Sequence, residues 1–196
     1  MRGEIMKKLF LFLLTFAFII VSTSVYADQK APLGFGNIAL KLDYIDFTNG
    51  DLDDTDVDTG VYVGLEGYGE IAQNLYLGME VGYTQPNGDI GTYDTELTFV
   101  PVELNLKYAL EPSPDFIIDF GGGVSLNYGK FKISGPGLSD SVDDWLFGGQ
   151  FFTDLNYKID RFFFGINVKY QITEEFEDYD FDMNNWRIGG QIGIVF

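Results

Sequence analysis

The sequence contains no cysteine and no histidine. Without cysteine there is no disulfide framework, no thiol nucleophile and no thiol to carry a lipid anchor. Without histidine there is no imidazole base, no imidazole metal ligand and no serine–histidine pair. Basic residues are also scarce: 12 Lys and Arg stand against 30 Asp and Glu, a net charge of -18. That balance excludes a nucleic-acid partner, which needs a positive footprint. Only 6 prolines occur, so long stretches are free to pair as strands. After residue 27 no apolar run reaches the roughly 20 residues of a transmembrane helix.

What is present begins with a segment unlike the rest. Arg2, Lys7 and Lys8 precede an almost unbroken apolar run from Leu9 to Val21, and Val25-Tyr26-Ala27 follows. This is the three-part layout of a secretory signal peptide, with cleavage expected after Ala27. The competing reading is a retained helix, but Met6 to Val21 is barely long enough to cross a bilayer. The organisation expected is therefore a cleaved export signal over residues 1–27 and one domain over 28–196. The product is then either soluble outside the inner membrane or inserted by strands.

Beyond Ala27 the chain alternates apolar and polar residues with period two, the mark of β-structure. Eight stretches can be bounded: about Gly36–Phe47, Asp58–Ile71, Asn74–Gln85, Tyr93–Leu110, Phe116–Phe131, Trp145–Lys158, Arg161–Thr173 and Trp186–Phe196. In the third, Leu75, Leu77, Met79, Val81 and Tyr83 alternate with Tyr76, Gly78, Glu80, Gly82 and Thr84. Each stretch reaches or exceeds the ~9–11 residues of a membrane-crossing strand, where soluble strands average about 5–6. Pro101 falls inside the fourth, where a bulge or a break in pairing is expected. The links alternate in length. Those at about 48–57, 86–92, 132–144 and 174–185 are longer, the 132–144 link longest, and those at 72–73, 111–115 and 159–160 are short. The longer ones all land at one end. The fold class expected is all-β: an eight-stranded antiparallel transmembrane barrel with up-and-down meander connections.

One face of every stretch is apolar, and the other is polar, small or charged. On the polar face lie five bases, Lys41, Lys107, Lys158, Lys169 and Arg187, and five acids, Glu66, Glu80, Glu103, Asp119 and Asp154. Balance of this kind, in so acidic a chain, suits an interior in which charges pair. Glycines such as Gly82, Gly123 and Gly193 share that face and leave room for long side chains. Tyr44, Tyr83, Tyr108, Tyr128, Trp145, Tyr157, Tyr170 and Trp186 fall near strand ends, where two interfacial girdles are expected.

Three further features carry a resemblance. The last stretch ends Ile192-Gly193-Ile194-Val195-Phe196; the fourth contains Val100-Pro101-Val102-Glu103-Leu104-Asn105-Leu106-Lys107-Tyr108; the fifth contains Gly121-Gly122-Gly123-Val124-Ser125-Leu126-Asn127-Tyr128-Gly129. Together they resemble the small outer-membrane β-barrel proteins of the OmpX-like and OmpA-N-terminal-like kind, over about Leu33–Phe196. The resemblance implies an outer-membrane location. It also implies that Ile192, Ile194 and Phe196 form the terminal signal read by the barrel-insertion machinery. Some barrels of similar fold are lipases or deacylases that depend on histidine, and this chain departs from their pattern.

A non-enzymatic protein is therefore expected, with a structural or surface-interaction role, contacts to outer-membrane lipid and a monomeric state. Two alternatives are a narrow porin-like channel for ions or small solutes and a soluble lipid-binding calyx of lipocalin type. No cofactor is expected beyond calcium or magnesium on the acidic links. Candidate ligands are Asp51, Asp53, Asp54, Asp56 and Asp58 in the first link and Glu174, Glu175, Asp178, Asp180 and Asp182 in the last. The spacing Asp54-x-Asp56-x-Asp58 only partly matches a calcium loop, since the glycine falls at Gly60 and no closing glutamate follows in place.

Overall fold

A computed structural model describes residues 31–53, 56–176 and 181–196. The expected signal peptide and Asp54, Asp178 and Asp180 lie outside the described residues, as do the side chains of Asp51 and Asp53. The strands are β1 (Gly36–Phe47), β2 (Thr59–Ala72), β3 (Leu75–Tyr83), β4 (Asn87–Ile90), β5 (Tyr93–Ser113), β6 (Phe116–Gly135), β7 (Leu138–Ile159), β8 (Phe162–Thr173) and β9 (Asn185–Val195); a single helical turn, α1 (Gly50–Asp53), lies between β1 and β2. Neighbours along the chain pair antiparallel except β3 and β4, β1 also pairs with β9, and β3 pairs with β5, which closes an eight-stranded ring.

The ninth strand is an extension of the third. Val81 faces Val102, Thr84 faces Phe99 and Asn87 faces Glu96, so β4 continues β3 along β5 in unchanged register. The interruption follows from proline. Thr84 and Phe99 exchange both backbone hydrogen bonds, each at 3.0 Å. Two residues on, Gly82 and Pro101 reach the same hydrogen-bonded position, and proline has no N–H to give. On its other side Pro101 pairs with Asn127 without a shift. The expected irregularity is thus a break in pairing toward β3 only, and no bulge.

At one end, here the turn end, three two-residue turns join β2 to β3, β5 to β6 and β7 to β8. Each places one residue in the left-handed region: Asn74 (φ 62), Asp115 (φ 66) and Asp160 (φ 55). Asn and Asp tolerate that conformation better than other non-glycine residues. A glutamate four residues earlier tightens two of them: Asn74 N–H donates to Glu70 at 3.0 Å and Asp115 N–H donates to Glu111 at 3.1 Å.

The loop end differs from the sequence expectation. The 132–144 link is not a loop: β6 and β7 run through it and turn at Pro136-Gly137, where Gly137 has φ 79. The 86–92 link is largely β4. Their outward positions carry polar residues, which reads as loop in a search for strands with an apolar outer face. As paired strands they form a small sheet, β4 with the outer parts of β5, β6 and β7, standing beyond the barrel wall.

Side-chain direction is settled by burial. Leu42 and Phe151 are 61% and 72% exposed, whereas Lys41 and Arg187 on the opposite face are 1% and 0% exposed. A barrel folded for water has the reverse arrangement. Each exposed Leu, Ile or Phe would forgo about 1.5–3 kcal/mol in water; an apolar band around the whole ring is stable only in lipid. The soluble-calyx reading is set aside on that ground.

Candidate functional site

The barrel interior is stacked in three tiers. In the middle lies a charge network drawn from eight strands, every one but β4. From β1, Lys41 Nζ sits 2.8 Å from Glu66 of β2, 3.3 Å from Glu80 of β3 and 4.0 Å from Asp154 of β7. From β8, Lys169 Nζ is 2.6 Å from Glu80 and also pairs with Glu103 of β5. From β9, Arg187 reaches Glu103 at 2.6 Å and Glu80 at 3.5 Å. Lys107 of β5 completes the set, 3.6 Å from Glu66 and 4.0 Å from Asp119 of β6. Strand alternation accounts for the convergence. In a closed eight-stranded ring every second residue points to the axis, and the bore is only wide enough for side chains to fill.

The tier is more constrained than charge alone requires. Tyr62 donates its hydroxyl to Glu80 at 2.7 Å, and its ring lies 4.4 Å from the Arg187 guanidinium. Lys107 lies 3.8 Å over the Tyr68 ring. Amides fill the gaps: Gln150 donates to Asn105 at 2.7 Å, Gln171 donates to Ser125 at 2.8 Å and Asn156 donates to Asp119 at 3.0 Å. A Cβ at Gly82 would overlap the Tyr62 phenol, so that ring can lie flat only over a glycine.

Lys158 does not belong to the network. It sits at the turn end, 3.9 Å from the part-exposed Glu111, and donates to the Pro32 carbonyl at 2.8 Å. The expected five-against-five balance is therefore corrected. Four cations (Lys41, Lys107, Lys169, Arg187) face five carboxylates (Glu66, Glu80, Glu103, Asp119, Asp154), with Asp43 close by and held by Asn167 at 2.8 Å. Period-two alternation gives the face a residue points to and not its height in the bore, so alternation alone places Lys158 with the others.

Apolar tiers close the stack above and below, and the sequence reading of a wholly polar interior missed both. At the turn end Leu33, Tyr68, Tyr76, Ile117, Phe152 and Phe163 pack together. The segment before β1 joins them, with Leu33 N–H donating to the Tyr76 hydroxyl at 3.2 Å and that hydroxyl donating to the Gly34 carbonyl at 3.1 Å. At the loop end Leu52, Val57, Leu97, Phe99, Phe176 and Met183 form a second cluster. Phe176 stacks on Phe181 at 4.4 Å. The β1–β2 and β8–β9 loops thus fold over the mouth. The signal for these tiers was present, since Tyr62, Tyr68, Tyr76 and Phe163 interrupt the polar face of their strands.

Of the acidic loop candidates, Asp56 and Glu175 are exposed and Asp58 is half-buried. Glu174 accepts from Phe147 N–H at 3.3 Å and Asp182 accepts from Asn184 N–H at 3.0 Å, so both cap backbone. Among the described residues no group of three or more acids is arranged to hold a metal ion. At the chain end, Ile192, Ile194 and Phe196 all face outward, and Phe196 exchanges backbone hydrogen bonds with Gly36 at 2.9 and 3.1 Å.

An antiparallel ring with an apolar exterior, a charged interior, tight turns at one end and long excursions at the other is the architecture of a small outer-membrane barrel. The chain belongs to the outer membrane protein beta-barrel domain family, whose model matches residues 12–190. Solved structures agree in fold. Neisserial surface protein A (NspA) is 10% identical with a TM-score of 0.62, over 83% of this chain and 98% of that one. OprG of Pseudomonas aeruginosa is 15% identical with a TM-score of 0.54, over 86% and 99%. The attachment invasion locus protein Ail of Yersinia pestis is 12% identical with a TM-score of 0.51, over 81% and 96%. None of the curated proteins matches the sequence.

Proposed function

We propose that the protein is a non-enzymatic, sealed scaffold of the outer membrane that holds the β4–β7 sheet and the acidic loops outside the cell. The observation that carries this is the three-tier interior: a charge network between two apolar caps fills the bore. Its carboxylates are buried against cations and amides and stand in no open cleft, so no acid–base pair is free to act on a substrate. Export by a cleaved signal over residues 1–27, delivery to the insertion machinery through Ile192, Ile194 and Phe196, and a monomeric barrel bathed in outer-membrane lipid complete the reading. Calcium or magnesium would bind the acidic loops only as an ion atmosphere, bridging Asp56, Asp58 and Glu175 to neighbouring anions.

The test is an epitope inserted between Pro136 and Gly137. Antibody should label intact cells, and those cells should remain no leakier to small solutes than cells without the protein. Labelling only after permeabilisation would overturn the reading. A narrow channel is the second reading. It draws on the looser turn-side half of the network, where the buried Asn37 amide and Lys107 ammonium have no hydrogen-bond partner among the described residues.

A further inference from the structure

The sheet that stands beyond the barrel wall has two different faces. Along β6, alternate residues beyond Tyr128 point outward: Lys130, Lys132 and Ser134. The register sets Thr98, Glu96 and Asp94 of β5 beside them on one flank, and Asp143, Ser141 and Ser139 of β7 on the other. The inward face carries Phe131 and Val142, packed on the loop-end cluster. Tyr128 itself lies against Trp145, ring centroids 5.5 Å apart, in the loop-end girdle. That pair marks the interface with lipid.

Heights follow from strand geometry. Two residues advance about 7 Å along a strand, and barrel strands tilt by roughly 40°. Lys130 therefore stands about 5 Å above the girdle and Lys132 about 10 Å. Each headgroup layer is about 5–7 Å deep. Both ammonium groups, on flexible stems, reach that layer from the outer face of the wall.

The charge pattern singles out the same two residues. The five other lysines and arginines of β1, β5, β7, β8 and β9 are tied to carboxylates or carbonyls inside the barrel or at its turn end. Among the described residues neither Lys130 nor Lys132 has an ion-pair partner, although acids occupy adjacent register positions. Asp143 stands directly opposite Lys130 in the register without closing on it as an ion pair.

We infer that the outward face of β6, through Lys130 and Lys132, docks the phosphorylated headgroup of an anionic lipid in the leaflet at the loop end. The Thr98 hydroxyl beside Lys130 and the Ser141 hydroxyl beside Lys132 supply further donors at the same level. The inference rests on the outer-membrane placement of the barrel and is independent of whether its interior is sealed.

Native mass spectrometry of the refolded full chain in neutral detergent tests it, with phosphatidic acid as probe and phosphatidylcholine as control. Wild type should retain phosphatidic acid in preference to phosphatidylcholine. A basic residue near an anionic surface contributes about five-fold in affinity, so K130Q/K132Q should lose roughly ten- to twenty-five-fold. K130R/K132R should retain binding, and R161Q, at the turn end, should bind as wild type does. Equal retention by K130Q/K132Q and wild type overturns the inference, as does equal binding of the two lipids. Displacement of the lipid by millimolar inorganic phosphate also overturns it, because the site would then be one for free phosphate. A heat-dependent shift in gel mobility checks that every variant is folded.

Discussion

Glu80→Gln is the most informative single change in the interior. Glu80 is 1% exposed and is shared by three cations, at 2.6 Å (Lys169), 3.3 Å (Lys41) and 3.5 Å (Arg187), while Tyr62 donates to it at 2.7 Å. Glutamine keeps the shape and can still accept from Tyr62, so packing is preserved and only the charge is lost. Four cations then face four network carboxylates, but the one removed is the carboxylate that three of them share. Lys169 and Arg187 fall back on Glu103 alone, and Lys41 falls back on Glu66 and Asp154. Removing one partner of a buried pair costs about 3–5 kcal/mol, because the remaining charges stay desolvated. Equilibrium unfolding in urea from lipid vesicles reads this directly, since Trp145 and Trp186 both lie near the loop-end girdle and report loss of the barrel. We expect a loss of about 3–5 kcal/mol for Glu80→Gln. Lys169→Gln combined with it should cost clearly less than the two single changes added, as coupled sites do. A change below about 1 kcal/mol, or strict additivity of the pair, would refute the network as described.

Other consequences can be checked on the same vesicles. Gly82→Ala places a methyl group in the Tyr62 ring and should cost about 1–3 kcal/mol, with Tyr62→Leu in the same chain recovering part of it. Phe176→Ala opens the loop-end cap, where Phe176 is 3% exposed, and should cost about 3–5 kcal/mol while leaving the charge tier in place. Leu33→Asp buries an unpaired carboxylate in the turn-end cap, and limited proteolysis should then cut the segment before β1 faster than in wild type. Asp140→Asn, on the exposed hairpin of β6 and β7, should change stability by less than about 0.5 kcal/mol.

The strands that cross the membrane were legible in the sequence because lipid makes the pattern strict. Every second residue from Ile38 to Tyr44, and from Phe162 to Ile172, is apolar, and all of these face outward. β1 begins and ends where alternation placed it, at Gly36 and Phe47. Outside the bilayer that constraint lapses. Lys130 to Gly135 and Leu138 to Asp144 pair as strand with polar residues on the outward face, and this is why 132–144 read as a loop. The ten interior charges were picked out by face alone. Their partners were not, because pairing depends on height in the bore, which stagger and tilt set between strands. The same gap hid the separation of Lys158 from the network and the two apolar tiers.

Single-channel recording across a planar lipid bilayer tests the central claim most directly: that the bore is filled from end to end. Barrels shown to be folded and inserted should give no current steps, with or without calcium. They should stay silent when Phe176→Ala removes one cap, because the charge tier remains below it. Discrete, reproducible conductance from the wild-type barrel would contradict the account and make the looser turn-side half of the interior the start of a pore.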